Sequence, residues 1–472
     1  MYSSEKQNPP AKRRLSSGNP ADESHEATGH RRNVRPPQYK RKTAPGKPRD
    51  GDRREEDTLG SQATEPDVCL CESRAVKPPV HLNTSVPAKP RSPWGLHVAL
   101  FLTGFGAFLN LNATQPLLPL FRSLFHASEL AVSLTVSAAT LAVAVTAPVA
   151  GLLADLLGRK RVIVGAMLGV ALGTALAATA QSLPQLIGWR FLQGVFIPGI
   201  AAVIMAYISE EAPPAAVGRT MATYVTGSVV GGFAGRFLNG VVAAHWSWRA
   251  GFLLLGAATF LSAGVTAWRL PPSTRFVRQA TPAASLRTLG RHLKNAQLLA
   301  LYAVGMTVLL SLVATFTYVN FYLADPPFHL GPSGLATIFT VYLIGAAVTP
   351  LAGRLIDRWG GRRALIGAIG VAALGIVLTL VPRLPVVVLG LTLLASGVFA
   401  CQAAASSGVG QAAGQARSSA AGLYVSLYYL GGTVGSVVPG LFWTVAGWPG
   451  CVAFILAIQL LTAWIAYARW DH

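Results

Sequence analysis

Two arginines lie where charge is expensive. Arg190 falls within the apolar run 184–208 and Arg236 within 219–243. An ionisable side chain inside a bilayer-length apolar run is a functional position by default, because its burial is costly and needs a partner. Each has polar company at helical spacing. Gln193 follows Arg190 by three, Asn239 follows Arg236 by three, and Asn112 and Gln115 stand three apart in the run 95–120. Residues three apart share a helix face, so these pairs predict a polar belt in one half of the membrane. A guanidinium there either takes an anion or is discharged by backbone carbonyls. Arg190 with Gln193 serves coupling or bundle organisation, the latter by satisfying carbonyls of the first helix. Arg236 with Asn239 predicts contact with a passing molecule or a gate. Asn112 and Gln115 either line that route or bond across helices.

The acids are as informative as the bases. Between Trp94 and His472 they are Glu129, Asp155, Glu210, Glu211, Asp325, Asp357 and Asp471. All seven are expected at helix ends or in loops, so the predicted belt carries two cations and no anion. That balance suits an anion better than a cation. No paired carboxylates, histidine cluster or phosphate-cradling loop occurs, so no catalytic residues are assigned. Cys69-x-Cys71 has no second pair and makes a poor zinc site. No metal ligand or cofactor is expected. His97 and His245 lie at membrane edges and could titrate near neutrality.

The elements that position the belt are long and apolar. The chain has 472 residues, of which 52% are hydrophobic and only 12% charged, with a mean hydropathy of +0.45. Twelve apolar runs each suffice to cross a bilayer: 95–120, 130–156, 161–181, 184–208, 219–243, 248–270, 296–322, 334–356, 362–382, 385–408, 418–443 and 449–469. The first 93 residues hold 18 Lys+Arg and 12 Asp+Glu, and their polar, proline-rich composition predicts a disordered basic tail. The remaining positive excess falls on alternate loops. With the N-terminus inside, the cytoplasmic loops hold 16 Lys or Arg and the outer loops only Arg122, Arg249 and Arg383. This bias places both termini in the cytoplasm and makes nucleic acid unnecessary as a partner. The expected organisation is a tail over 1–93, a six-helix bundle over 94–270, a cytoplasmic linker over 271–295 and a second bundle over 296–472.

The two bundles are copies. Gly151, Asp155 and Gly158, followed by Arg159 and Arg161, recur as Gly353, Asp357 and Gly360, followed by Arg362, at an offset of 202. Tyr224, Gly231, Gly232, Gly235, Gly240 and Trp248 recur as Tyr424, Gly431, Gly432, Gly435, Gly440 and Trp448. Two parallel repeats around a midplane site form a transporter architecture. The Gly-Asp-Gly-basic loop predicts a cytoplasmic latch between the halves: the carboxylate pairs with arginine or a helix N-terminus, and the glycines allow a turn and close contact. The glycines of helices five and eleven predict sliding contact between the halves.

These residues carry a family resemblance. Gly151–Arg161, with its second copy at Gly353–Arg363, resembles the loop signature of the major facilitator superfamily. Arg190-Phe-Leu-Gln193-Gly194 resembles the helix-four signature of that superfamily's proton-coupled exporters. Gly227-x-x-x-Gly231-Gly232-x-x-Gly235 is similar to the helix-five antiporter signature, with Gly232 in place of a proline and Arg236 in place of the last glycine. Gln115-Pro-Leu-Leu-Pro119, with Gly231-Gly-x-x-Gly-Arg236, resembles the YnfM-like branch. The resemblance implies an all-α integral membrane fold of two pseudo-symmetric six-helix bundles. It also implies alternating-access transport of a small organic molecule driven by an ion gradient. The expectation is proton-coupled efflux by a monomer in a bacterial inner membrane. The alternatives are organic-anion uptake and a ligand sensor built on the same fold.

Overall fold

The computed structural model describes residues 93–213, 215–273, 294–412 and 417–469. The basic tail expected over 1–93 and most of the linker expected over 271–295 lie outside the described residues. All described elements are helical. Twelve spans follow in chain order. The first comprises an α-helix over Pro93–Leu111, a 3-10 turn over Gln115–Leu117 and a short helix over Leu118–Leu124. Spans two to six cover Glu129–Leu157, Arg159–Ala177, Leu183–Glu211, Val217–His245 and Trp248–Arg269. The second half runs Ala296–Ala324, Pro332–Trp359, Gly361–Leu378 and Leu384–Ala412. Spans eleven and twelve are Arg417–Val437 and Pro439–Arg469, the latter bending at Ala446 and at Gly447, whose φ is +57°.

The helix starts are written locally. Ser128 and Ser247 accept the Ala131 and Ala250 amides at 3.2 and 3.1 Å, and Asn295 accepts those of Gln297 and Leu298. Such side chains satisfy amides that a helix N-terminus cannot pair internally. Gly158 and Gly360 sit at φ +88° and +81°, a conformation that disfavours any other residue, so each opens the turn between neighbouring spans. Ten spans are long and apolar enough to cross a membrane by composition alone. Spans five and eleven fall short because glycine, serine, threonine and tyrosine dilute them, and the tertiary structure shows why those residues stand there.

In the first bundle, span one packs on spans five and six, and span four on spans two and three. In the second, span seven packs on spans ten, eleven and twelve, and span nine on span ten. The expectation that the glycines of spans five and eleven lie between the halves is corrected. A Cβ at Gly227, Gly231 or Gly235 would stand 2.1, 2.3 and 1.7 Å from the carbonyls of Phe101, Phe105 and Leu109. At Gly431 and Gly435 it would stand 1.9 and 2.4 Å from those of Met306 and Leu310. These glycines seat span five on span one and span eleven on span seven, each inside its own bundle. Small residues allow such backbone approach where lipid supplies no hydrophobic drive. Gly240 of span five does reach across, to Pro332 and Ala336, and so does Gly440 at the start of span twelve, to Leu130. Gly151 and Gly353, also expected in close contact, have open space where a Cβ would stand.

Candidate functional site

The first span is not the continuous helix expected over 95–120. Pro116 lacks an amide hydrogen and the α-helix stops at Leu111. Asn112 and Gln115 therefore do not share a helical face; both lie in the broken segment, where the Gln115 amide donates to the Asn112 carbonyl at 3.1 Å. A break inside a membrane frees carbonyls that lipid cannot satisfy. Arg190 and Asn239 satisfy them. The Arg190 guanidinium, fully buried, donates to the carbonyls of Asn110 at 2.8 Å, of Thr135 at 3.1 Å and of Leu111, and to the Gln193 amide oxygen. Gln193 donates to Thr174, whose hydroxyl donates to Asn110 at 3.0 Å, and Asn110 donates to Thr259 at 2.8 Å. Asn239, also fully buried, donates to the Ala113 carbonyl at 2.8 Å and packs against Gly251. Arg190, Gln193 and Asn239 thus face the interior of the first bundle.

This account explains an asymmetry between the halves. The seventh span is unbroken over Ala296–Ala324, so no carbonyls need capping there. Leu393 and Pro439 stand where the first half has Arg190 and Asn239.

Arg236 is placed differently. Its Nε donates to the Gln115 amide oxygen at 2.7 Å and its Nη1 to the Gly232 carbonyl at 2.6 Å. Its guanidinium carbon lies 4.6 Å from the ring centre of Tyr342 and 5.1 Å from that of Phe339, both in the eighth span. Gln115 in turn donates to Thr317 of the seventh span at 3.4 Å. Arg236 and Gln115 therefore stand at the seam between bundles, whereas Arg190 does not. The Asn112 side-chain oxygen is buried without a hydrogen-bond partner among the described residues.

A further polar element was hidden from the sequence. Arg122, at the end of span one, donates to both oxygens of Asp325 at 2.7 and 3.1 Å and to Glu129 at 3.0 Å. Asp325 belongs to the second bundle and Glu129 to the first. One arginine thus ties the bundles together while keeping a carboxylate on its own side. Sequence reading put Arg122 in an outer loop and Glu129 and Asp325 at helix ends or in loops; the signal available was that Arg122 and Asp325 occupy matching ends of spans one and seven, 203 residues apart. Further along the seam, the hydroxyls of Thr140 and Thr433 meet at 3.0 Å. The cross-bundle contacts at Arg122, Gln115, Arg236 and Thr140 all lie in the half of the domain that ends at Arg122. Towards the opposite end, Val145 and Val149 of span two are 62% and 58% exposed.

At that opposite end the ion pairs among the described residues join elements of the first bundle. Arg159, nearly buried, pairs with Asp155 at 3.0 Å and bidentately with Glu210 at 2.7 and 3.2 Å. Arg161 and Asp357 are exposed, and Arg362 stacks 4.6 Å over the Tyr467 ring. In this conformation the pairs described for Asp155 and Arg159 join spans two, three and four, where the latch expectation had the two halves. Glu210, the partner that completes the cluster, was not singled out from the sequence because it lies 51 residues from Arg159.

Two six-helix bundles in parallel repeat, joined along a seam with a buried cation on it, define a membrane carrier. The sequence profile of the Major Facilitator Superfamily matches residues 100–326 and 326–471, and the chain belongs to that superfamily. It is 32% identical over 374 residues to the inner membrane transport protein YnfM of Escherichia coli, covering 79% of this chain and 89% of that one. It is 31% identical over 369 residues to the uncharacterized MFS-type transporter YybF of Bacillus subtilis, covering 78% and 91%. The nucleoside transporter NupG superposes with a TM-score of 0.67 at 16% identity, over 80% of this chain and all of that one, which shows the shared fold. The chain is a multi-pass membrane transporter.

Proposed function

We propose that this transporter moves a small organic molecule by alternating access, as a monomer that exports its substrate in exchange for protons across a bacterial inner membrane. The observation that carries alternating access is the distribution of contacts along the seam. Arg122, Gln115, Arg236 and Thr140 bind the bundles together in one half, while at the other end the described pairs of the Asp155–Arg159–Glu210 cluster join elements of the first bundle. The excess of Lys and Arg on alternate loops puts the Arg159 end in the cytoplasm, with both termini. On that reading the conformation described is shut outside. Rocking would exchange the Arg122–Asp325 tie for a latch at the Gly151–Arg161 and Gly353–Arg362 loops.

The direction and the proton rest on the exporter-like signature around Arg190. Organic-anion uptake is the second reading, favoured by one observation: the seam carries Arg236 with no carboxylate against it. Reconstitution into proteoliposomes with an imposed pH gradient tests both. Export requires substrate movement opposite to the proton gradient; movement along it selects the uptake reading. A ligand that binds and shows neither accumulation nor counterflow would refute transport and leave a sensor. Arg236→Ala is expected to abolish flux of an anionic substrate while membrane insertion persists, and normal flux in that variant would count against Arg236 as a substrate contact.

A further inference from the structure

A cavity of about 240 Å³ lies between the start of span one and the end of span six. Trp94, Gly95 and Val98 line it from span one, and Val265, Trp268 and Arg269 from span six. It stands at the end of the domain opposite Arg122. Trp94, Val98 and Trp268 are 80%, 38% and 64% exposed, so the cavity opens on the outside of the first bundle, where a membrane protein meets lipid. Its lining is graded with depth. Arg269 stands in the last turn of span six, and Trp94 in the first turn of span one. Val98 is one turn inward from Trp94 and Val265 one turn inward from Arg269, a step of about 5.4 Å along each helix. Charge and indole at the rim with valine beneath match the order in which a phospholipid presents its headgroup and its chains.

The cation is positioned but not neutralised. The Arg269 guanidinium carbon lies 3.9 Å from the Trp268 ring centre. A Cβ on Gly95 would touch its Cδ and Nη1 at 3.4 Å, so the bare backbone of Gly95 leaves the side chain its place. Among the described residues Arg269 has neither an ion pair nor a hydrogen bond. A similar pair at the other end of span six behaves differently. Arg249 lies 4.4 Å from the Trp248 ring centre, but it donates to the Ala180 carbonyl at 2.9 Å, and Trp248 is only 5% exposed. That arginine is used up in packing, whereas the N–H groups of Arg269 are left to a ligand. Guanidinium takes phosphate oxygens two at a time, and basic pockets between spans hold anionic lipid headgroups.

We propose that this cavity binds an anionic phospholipid, with its phosphate on Arg269, its glycerol backbone beside Trp94 and Trp268, and an acyl chain along Val98 and Val265. A soluble phosphate ester shares the anion but has no use for the valines or for an opening toward lipid. All six lining residues belong to the first bundle, so the lipid anchors that bundle to one leaflet and stays bound whichever way substrate moves. On the orientation proposed above, that leaflet is the cytoplasmic one.

The test uses the full-length chain, purified in detergent and titrated with phosphatidylglycerol or net-neutral phosphatidylcholine carrying brominated acyl chains. Bromine quenches tryptophan fluorescence on contact, and the part of the signal lost in Trp94→Phe belongs to this site. Phosphatidylglycerol is expected to bind about fivefold tighter than phosphatidylcholine, the margin that one cation contributes beside anionic lipid. Arg269→Gln should erase that margin and leave the affinity for phosphatidylcholine within about twofold, while Arg269→Lys should keep most of it. A merely structural Arg269 would move both lipids together. Gly95→Leu, which fills the cavity and leaves the charge, should weaken both. Equal binding of the two lipids overturns the proposal, as does a preference for phosphatidylglycerol that survives Arg269→Gln. Quenching that is the same in Trp94→Phe places the lipid elsewhere and also overturns it. Displacement of phosphatidylglycerol by an equal concentration of glycerol 3-phosphate would assign the cavity to a soluble anion and overturn the lipid.

Discussion

Arg122 holds two carboxylates of unequal meaning. Asp325 is across the seam and must be released when the bundles part at that end; Glu129 moves with Arg122. Asp325→Asn should therefore shift the conformational equilibrium, and Glu129→Gln should not. The side chains of Arg122, Asp325 and Glu129 are 29%, 39% and 23% exposed. A bidentate pair so placed is screened by solvent and contributes about 1 kcal/mol, which corresponds to about a fivefold change in the ratio of the two states. The retained carboxylate lowers the cost of opening, because Arg122 is never left without a counter-charge. The measurement is the distance distribution between spin labels at Leu124 and His329 in a Cys69→Ser, Cys71→Ser background. Asp325→Asn should raise the ratio of long to short distances about fivefold, and Glu129→Gln should move it by less than about twofold. High salt should reproduce part of the Asp325→Asn effect. Equal shifts from the two variants, or none from either, would refute the assignment of Asp325 as the cross-bundle tie.

Three further outcomes follow from the geometry. Gly235→Val places a side chain where even a Cβ would lie 1.7 Å from the Leu109 carbonyl; overpacking costs about 1–3 kcal/mol or more, so yield and melting temperature should fall, whereas the same change at Gly151, where space is open, should leave both unchanged. Arg190→Leu strands the carbonyl of Leu111, at about 1–3 kcal/mol for a group left unsatisfied, and removes a second donor from those of Asn110 and Thr135, so yield and melting temperature should fall; Arg190→Lys should leave a less stable carrier whose substrate affinity is unaltered, read by equilibrium binding. Asp155→Asn should slow turnover more than it weakens binding, because the described partners of Asp155 are Arg159 and, through it, Glu210; single-turnover against steady-state flux separates the two, and unchanged turnover would leave Asp155 with topology alone.

The fold was legible because lipid restricts the options. Backbone groups in a bilayer must pair internally, so each apolar run of the right length reads as a helix, and the 202-residue offset from Gly151, Asp155 and Gly158 to Gly353, Asp357 and Gly360 reads as a duplicated bundle. The buried polar residues were legible as positions, because each is an exception to the surrounding hydropathy, but their roles were not. Arg190 and Arg236 look alike in sequence: each is a lone cation in an apolar run with an amide three residues on. One caps a broken helix inside a bundle; the other faces rings across a seam. The difference depends on which way each helix turns and on where Pro116 breaks the first span, and neither is encoded within a few residues of the arginines. The glycines of spans five and eleven were rightly read as sites of close approach, yet only packing decides which backbone approaches. Arg122, Asp325 and Glu129 went unnoticed because charge at a helix end is ordinary, and their meeting is created by bringing residues 203 apart onto one edge. The sequence by itself determined the span count expected, the repeat and the scarcity of buried charge, all consequences of local hydropathy. Only the tertiary structure decided which of those charges is sealed, which lies on the seam and which holds the two bundles together, because each depends on partners brought together from distant parts of the chain.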